Sequence, residues 1–258
     1  MYSEKQLVLI FERFGLTFDP ELEPDDALLA DLQLGMATHV PYENLDILHG
    51  TPLSLDYGDL YDKIVVRHRG GYCFELNGFL GEVLRSLGYE VTELMARYLR
   101  GETEIPMRRH RVVIARDCCG RRWICDAGIG QSAPRLPLPF EEGAVSEQFG
   151  ETYRVEKEPF FGWVISDLHH GEWRRFYSFT EEEQLNIDYV MPSFWCEHAP
   201  ESPFRSGPSL SIKTKDGRIT VDGNVFRIFH GEAAVEKTIA DEAERRALYR
   251  EHFGLDVI

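Results

Sequence analysis

Two short stretches carry residue types able to do acyl chemistry. The first, RGGYCFELNGFL (residues 69–80), sets a cysteine after two glycines and ahead of an apolar stripe. Leu76, Phe79, Leu80, Val83, Leu84 and Leu87 recur at helical spacing, which predicts a helix ended by Gly88. Cys73 then falls in the first turn, where unpaired backbone N–H groups and the helix dipole favour an anion such as a thiolate. A cysteine pKa at a helix N-terminus, or beside an imidazolium, falls from about 8.5 to roughly 3.5–7.5, and the thiolate is the form that attacks carbon. Gly70 and Gly71 are expected to let the backbone turn tightly and approach a bound substrate. Free cysteines are commonly small buried hydrophobes, so position alone leaves both readings open.

A nucleophilic thiol needs an imidazole that is itself held by a third polar group. HRVVIARDCCGRRWICDAG (110–128) supplies both. Two alternating strands flank DCCG, and a three-residue loop, Cys118-Cys119-Gly120, with Gly120 left-handed, closes them into a hairpin. In that register paired residue numbers sum to 238, so Asp126 faces Val112 and lies diagonal to His110. Diagonal neighbours share a face, with Cα atoms roughly 7–8 Å apart. A slip of one residue would send His110 and Asp126 to opposite faces. Taken without Cys73, the pair reads more simply as a strand-end cap and a turn carboxylate.

The other candidates are weaker. Cys118 and Cys119 fall in the turn, while Cys125 and Cys196 stand beside Trp123 and Trp195 as packing residues. Five cysteines without CxxC spacing suggest neither a disulfide framework nor a zinc site. His169-His170-Gly171-Glu172 invites a metal reading, but a solvated hairpin tip is the simpler account, and no metal is expected.

The elements that must position these residues change character along the chain. Ser3 with Gln6 forms a capping-box pattern ahead of Leu7, Ile10 and Phe11; Asp25 and Asp26 precede a second helical run, so residues 1 to about 90 read as helical. From Val91 short alternating strands dominate, up to a Pro-rich stretch at 191–204 that reads as a crossing or linker. Strands return in LSIKTKDGRITVDGNVFRIF, and a helix is expected over Thr238–Phe253, ended by Gly254. With 28 basic and 44 acidic residues the formal charge of the 258-residue chain is −16, which disfavours sequence-independent attraction to nucleic acid or an anionic membrane. No run approaches the roughly 18 apolar residues of a membrane helix. The first residues lack a signal-peptide layout, so a cytoplasmic location is expected.

Taken in order, VPYENLDI (40–47), RGGYCFELN (69–77), His110 before an apolar strand, CDAGIG (125–130) with PLPF after it, and HAPESPF (198–204) resemble the arylamine N-acetyltransferases. The resemblance covers most of the chain. It implies an α+β fold of three parts: an N-terminal helical bundle (1–90) with the nucleophile, a central β-barrel region (91–205) with the His and Asp, and a C-terminal α/β lid (206–258), related to papain-like and transglutaminase-like cysteine enzymes. It also implies a Cys73-His110-Asp126 triad. The implied reaction is ping-pong: acetyl passes from acetyl-CoA through an acetyl-cysteine to small-molecule arylamines, hydrazines or arylhydroxylamines, a role in xenobiotic metabolism. Gly128, Gly130 and Arg100 are implied near the cofactor, with Arg108 and Arg109 close by, and Ile129 and Phe204 near the acceptor. Many members carry an aromatic residue where this chain has Ile129, so acceptor choice stays open. A related amide synthase or thiol acyl-hydrolase using the same triad with another donor is the alternative, and the chain is expected to be a monomer or homodimer.

Overall fold

Ser3 donates its backbone N–H to Gln6 Oε1 at 3.0 Å and so opens helix α1 (Glu4–Arg13). Asp25 accepts the N–H of Leu28 at 2.8 Å and opens α2 (Asp26–His39). Strand β1 (Tyr42–Glu43), α3 (Leu45–His49) and α4 (Tyr57–Tyr61) lead to α5 (Cys73–Ser86). This computed structural model describes residues 1–231 and 233–256; positions 232, 257 and 258 of the expected C-terminal part lie outside the described residues. Ile10, Phe11, Leu29 and Leu32 close one core with Phe79 and Val83 of α5.

The long antiparallel sheet comprises β2 (Glu90–Tyr98), β3 (His110–Arg116), β4 (Arg122–Cys125), β5 (Leu138–Pro139), β6 (Val145–Gln148), β7 (Glu151–Glu158), β8 (Gly162–His169) and β9 (Glu172–Glu183), in the order β5-β4-β3-β2-β9-β8-β7-β6. It curls into a nearly closed barrel around Val112, Ile114, Phe176 and Tyr177. Helix α6 (Val190–His198) follows. The second sheet holds β10 (Ser209–Lys213), β11 (Gly217–Asp222), β12 (Val225–His230) and β13 (Ala233–Thr238), in the order β1-β10-β11-β12-β13, covered by α7 (Glu242–Phe253). The fold is α+β.

Three expectations need correction. The Pro-rich stretch is no simple linker: Pro192 sits in the first turn of α6, where its missing N–H costs nothing. The last helix begins at Glu242, capped by Asp241 on the Glu244 N–H at 2.9 Å, because residues up to Thr238 pair with β12. The helical first third also lends β1 to the second sheet, Tyr42 pairing with Ser211.

Between the sheets, Lys213 Nζ lies 2.7 Å from Glu151 Oε1 and Arg135 Nη1 2.6 Å from Glu151 Oε2, while the Arg135 guanidinium also donates to the carbonyls of Thr214 and Gly217. One carboxylate thus serves two buried cations at the seam. The hairpin tip at His170 and Gly171, both with positive φ, closes β8 onto β9. Among the described residues, no helix is long and apolar enough to cross a membrane.

Candidate active site

The two glycines before Cys73 answer to backbone packing. A Cβ on Gly70 would stand 1.8 Å from the Pro41 carbonyl oxygen and one on Gly71 2.7 Å from Glu75 Oε2, and neither residue lines the cavity. The expected approach to substrate is therefore replaced by chain-on-chain contact. Glu75 Oε2 accepts the Tyr72 N–H at 3.1 Å and Oε1 accepts from Lys63 Nζ at 2.7 Å. Lys63 also meets Asp46 at 2.6 Å, and Arg69 joins Asp46 at 2.8 Å and Glu43 at 2.7 Å. This largely buried network, in which Lys63 ties VPYENLDI to RGGYCFELN, locks the entry to α5.

Cys73 is buried at the first position of α5, its Sγ 3.7 Å from the Arg109 carbonyl oxygen. Burial pushes its thiol well above the ordinary value; Cys196 and Asp126 add to the rise, and the N–H groups of Arg111 and Phe74 oppose it.

Strands β3 and β4 pair Val113 with Cys125 and Ala115 with Trp123, the register in which numbers sum to 238. Gly120 closes the turn at φ +82°. His110 Nε2 consequently lies 2.7 Å from Asp126 Oδ2, both side chains buried, leaving Nδ1 as the ring nitrogen not engaged by the carboxylate. Asp126 Oδ1 accepts from Asn77 Nδ2 at 2.8 Å and from the Gly128 N–H at 3.0 Å. Asn77 Nδ2 also donates to the Arg111 carbonyl at 2.6 Å, and its Oδ1 accepts the Ala127 N–H at 3.1 Å. Gln33 Oε1 accepts the Asp126 N–H at 3.2 Å.

Sequence reasoning missed Asn77 and Gln33. Asn77 had a signal: it stands four residues after Cys73, one turn along the same helix, as a polar residue in an apolar run. Arg111, fully buried, was also missed. It pairs with Glu93, donates to Asn186 Oδ1 at 3.0 Å and lies over the Tyr189 ring at 4.3 Å, fastening β3 beside α5.

Cys73 and His110 open onto one cavity of about 430 Å³. Gly128, Ile129, Gly130 and Phe204 line it, joined by Tyr42 and Tyr98 and by Leu210, Thr220 and Arg227 of the second sheet. Gly128 is held by packing, since a Cβ there would lie 2.9 Å from Asn77 Cγ, whereas Gly130 adopts φ +75°. Arg100 departs from expectation. It does not line the cavity: its guanidinium pairs with Asp167 at 2.6 Å, donates to Ser132 Oγ at 2.6 Å and covers the Phe176 ring. Arg108 is likewise outside, against Glu182 at 3.1 Å. Among the described residues the lining cations are Arg109, 2.9 Å from Glu102, and Arg227, 2.7 Å from Glu236.

A family model described as N-acetyltransferase matches residues 27–258. The arylamine N-acetyltransferase of Escherichia coli K12 is 34% identical over 221 residues, 84% of this chain and 78% of its own length. The solved arylamine N-acetyltransferase from Salmonella typhimurium superposes with a TM-score of 0.93 at 30% identity, covering 100% of this chain and 93% of that one. That of Mycobacterium marinum in complex with CoA gives 0.90 at 28% identity, covering 97% and 93%.

Proposed function

The chain belongs to the arylamine N-acetyltransferase family, and from that premise we propose that it moves an acetyl group from acetyl-CoA to an arylamine, arylhydrazine or arylhydroxylamine through an acetylated Cys73. The carrying observation is the Asp126–His110 hydrogen bond of 2.7 Å at the cavity that also receives Cys73.

In this reading His110 takes the Cys73 proton and Sγ attacks the thioester carbonyl. Asp126 holds the Nε2 hydrogen and keeps Nδ1 as the basic nitrogen. The tetrahedral oxyanion is assigned to the Cys73 backbone N–H at the start of α5. Collapse expels the CoA sulfur, which takes the proton back from His110. The acceptor nitrogen then attacks the acetyl-cysteine, His110 removes its proton, and Cys73 leaves as the thiol. Arg109 and Arg227 are the cavity's candidates to meet CoA phosphates, in place of Arg100. Gly128, Ile129, Gly130 and Phe204 wall the space shared by donor and acceptor.

Intact mass after brief mixing with acetyl-CoA tests the reading. One added acetyl group that requires Cys73, is absent in Cys73→Ala and disappears on adding an anisidine is the expected result. A Cys73 that stays unacetylated while an electrophile still labels it would replace acetyl-CoA with another acyl donor.

A further inference from the structure

Cys118 and Cys119 are the chain's exposed cysteines, adjacent in sequence on the turn that joins β3 to β4. The acyl-transfer chemistry uses neither. Their platform is fixed from below. The buried Asp117 carboxylate accepts the Cys119 N–H, the Arg121 N–H and Arg121 Nε at 2.9 Å each, and Trp123 Nε1 at 3.0 Å. The Pro24 carbonyl accepts the Cys118 N–H at 2.9 Å, and the Gly120 N–H closes the turn on the Asp117 carbonyl at 2.9 Å. Desolvation within the turn, then a side-chain hydrogen bond with Cys119 and the nearby charges of Glu23 and Asp117, push the Cys118 thiol above its ordinary value. The two sulfurs are therefore in contact, and Cys118 stays protonated at neutral pH.

Contact without a bond selects the ligand. Adjacent Cα atoms stand about 3.8 Å apart across a trans peptide, whereas a disulfide usually needs roughly 4.4–6.8 Å. The pair is poorly placed to close on itself, and one larger atom set between the sulfurs removes that demand. Among the described residues no group of three or more His, Cys, Asp or Glu side chains could hold a metal ion, and the Asp117 oxygens are already taken by their donors. The turn thus offers two soft donors without a third. We propose that Cys118 and Cys119 form a capture site for a monosubstituted trivalent arsenical, a soft centre that keeps one bond to carbon and gives two to sulfur. In this step R–As=O and two thiols give R–As(SR′)2 and water. Two As–S bonds form, the As=O and both S–H bonds break, the thiol protons leave on the oxide oxygen, and arsenic stays trivalent. The reagent is neutral, so Glu23 and Asp117 do not repel it. Strand β3 has seven residues, which sets the site roughly 20 Å from His110 along the strand and leaves Cys73 free.

Intact mass of the full chain tests this, after reduction with a phosphine, mixing with one equivalent of phenylarsine oxide, and desalting. The expected wild type retains one phenylarsenic group in place of two hydrogen atoms, and 2,3-dimercaptopropanol strips it. Cys118→Ser and Cys119→Ser each weaken retention at least about tenfold, because one thiol cannot close the ring, while Cys73→Ala keeps the group. A wild type that retains no arsenical, retention unchanged in either serine variant, or its loss in Cys73→Ala overturns the assignment. So does a peptide map that finds Cys118 bonded to Cys119 after treatment with oxidised glutathione, since the pair would then close on itself.

Discussion

Asp126 has no spare oxygen. One faces His110 and the other holds Asn77 and the Gly128 N–H, so the carboxylate is fixed from both sides. In Asp126→Asn the new amide must either turn its NH2 toward His110, forcing the hydrogen onto Nδ1 and removing the base from Cys73, or turn it against two donors. Either way the rate of Cys73 acetylation should fall by about 10³–10⁴-fold with the fold retained. Rapid-quench mass spectrometry measures this; a loss smaller than tenfold would remove Asp126 from the proposed triad. Cys73, His110 and Asp126 were legible because few residue types do this chemistry and the Gly120 turn fixed which of them share a face. Asn77 was not, since an amide in an apolar stripe acquires its role only when β4 arrives beside α5. The Cys73 thiol is pulled two ways, raised by burial and lowered by the N–H groups of Arg111 and Phe74, and the degree of burial is a property of the packed site that no spacing shows.

Helix α5 illustrates what an element must satisfy when neighbours enclose it on most sides. A Cβ on Gly78 would lie 2.5 Å from Arg111 Nη1 and one on Gly81 2.7 Å from Glu93 Oε1. Those two glycines, one turn apart, admit the buried Arg111–Glu93 pair. Replacing a helical glycine by alanine ordinarily stabilises by about 1 kcal/mol. Gly78→Ala should reverse the sign and cost roughly 1–3 kcal/mol, because Arg111 is held by Glu93, Asn186 and the Tyr189 ring and cannot yield. Urea unfolding decides it; a stabilised variant would mean that Arg111 moves freely. The apolar stripe and Gly88 made α5 readable to within about one residue at its end. Its glycines were opaque, as was Gly70, because each answers to an atom at least twelve residues away in sequence, whereas Gly71 answers to Glu75 on the first turn of α5. Helix α6 was hidden by its proline, and the end of the second sheet by the ambiguity of the short AAVEKT run between strand and helix.

At the scale of the molecule, the seam at Glu151 carries more positive than negative charge. Burial pushes the Lys213 ammonium down to about 8, with Glu151 opposing and Arg135 and Arg218 adding to the fall. The folded chain releases this proton near 8, while an unfolded chain holds it to about 10.5. Between those values the unfolded state binds the extra proton, so this group's contribution makes stability rise with pH; below both, the whole penalty stands. Lys213→Met leaves Glu151 paired with Arg135 and should gain up to about 3 kcal/mol at pH 7, an advantage that shrinks by pH 10. Denaturant titrations of both proteins across that range check it, and a gap constant with pH would place the ammonium in an ordinary environment.

The pairing of β1 with β10 sets the order of events on the ribosome. Tyr42 and Glu43 emerge early, yet the strand that completes their edge is translated only after the whole barrel. Until then the cavity lacks its lid wall, and Cys73 waits in a half-built cleft. Acyl transfer is therefore a late-acquired property of the growing chain, gained when its C-terminal sheet closes onto the helical first third.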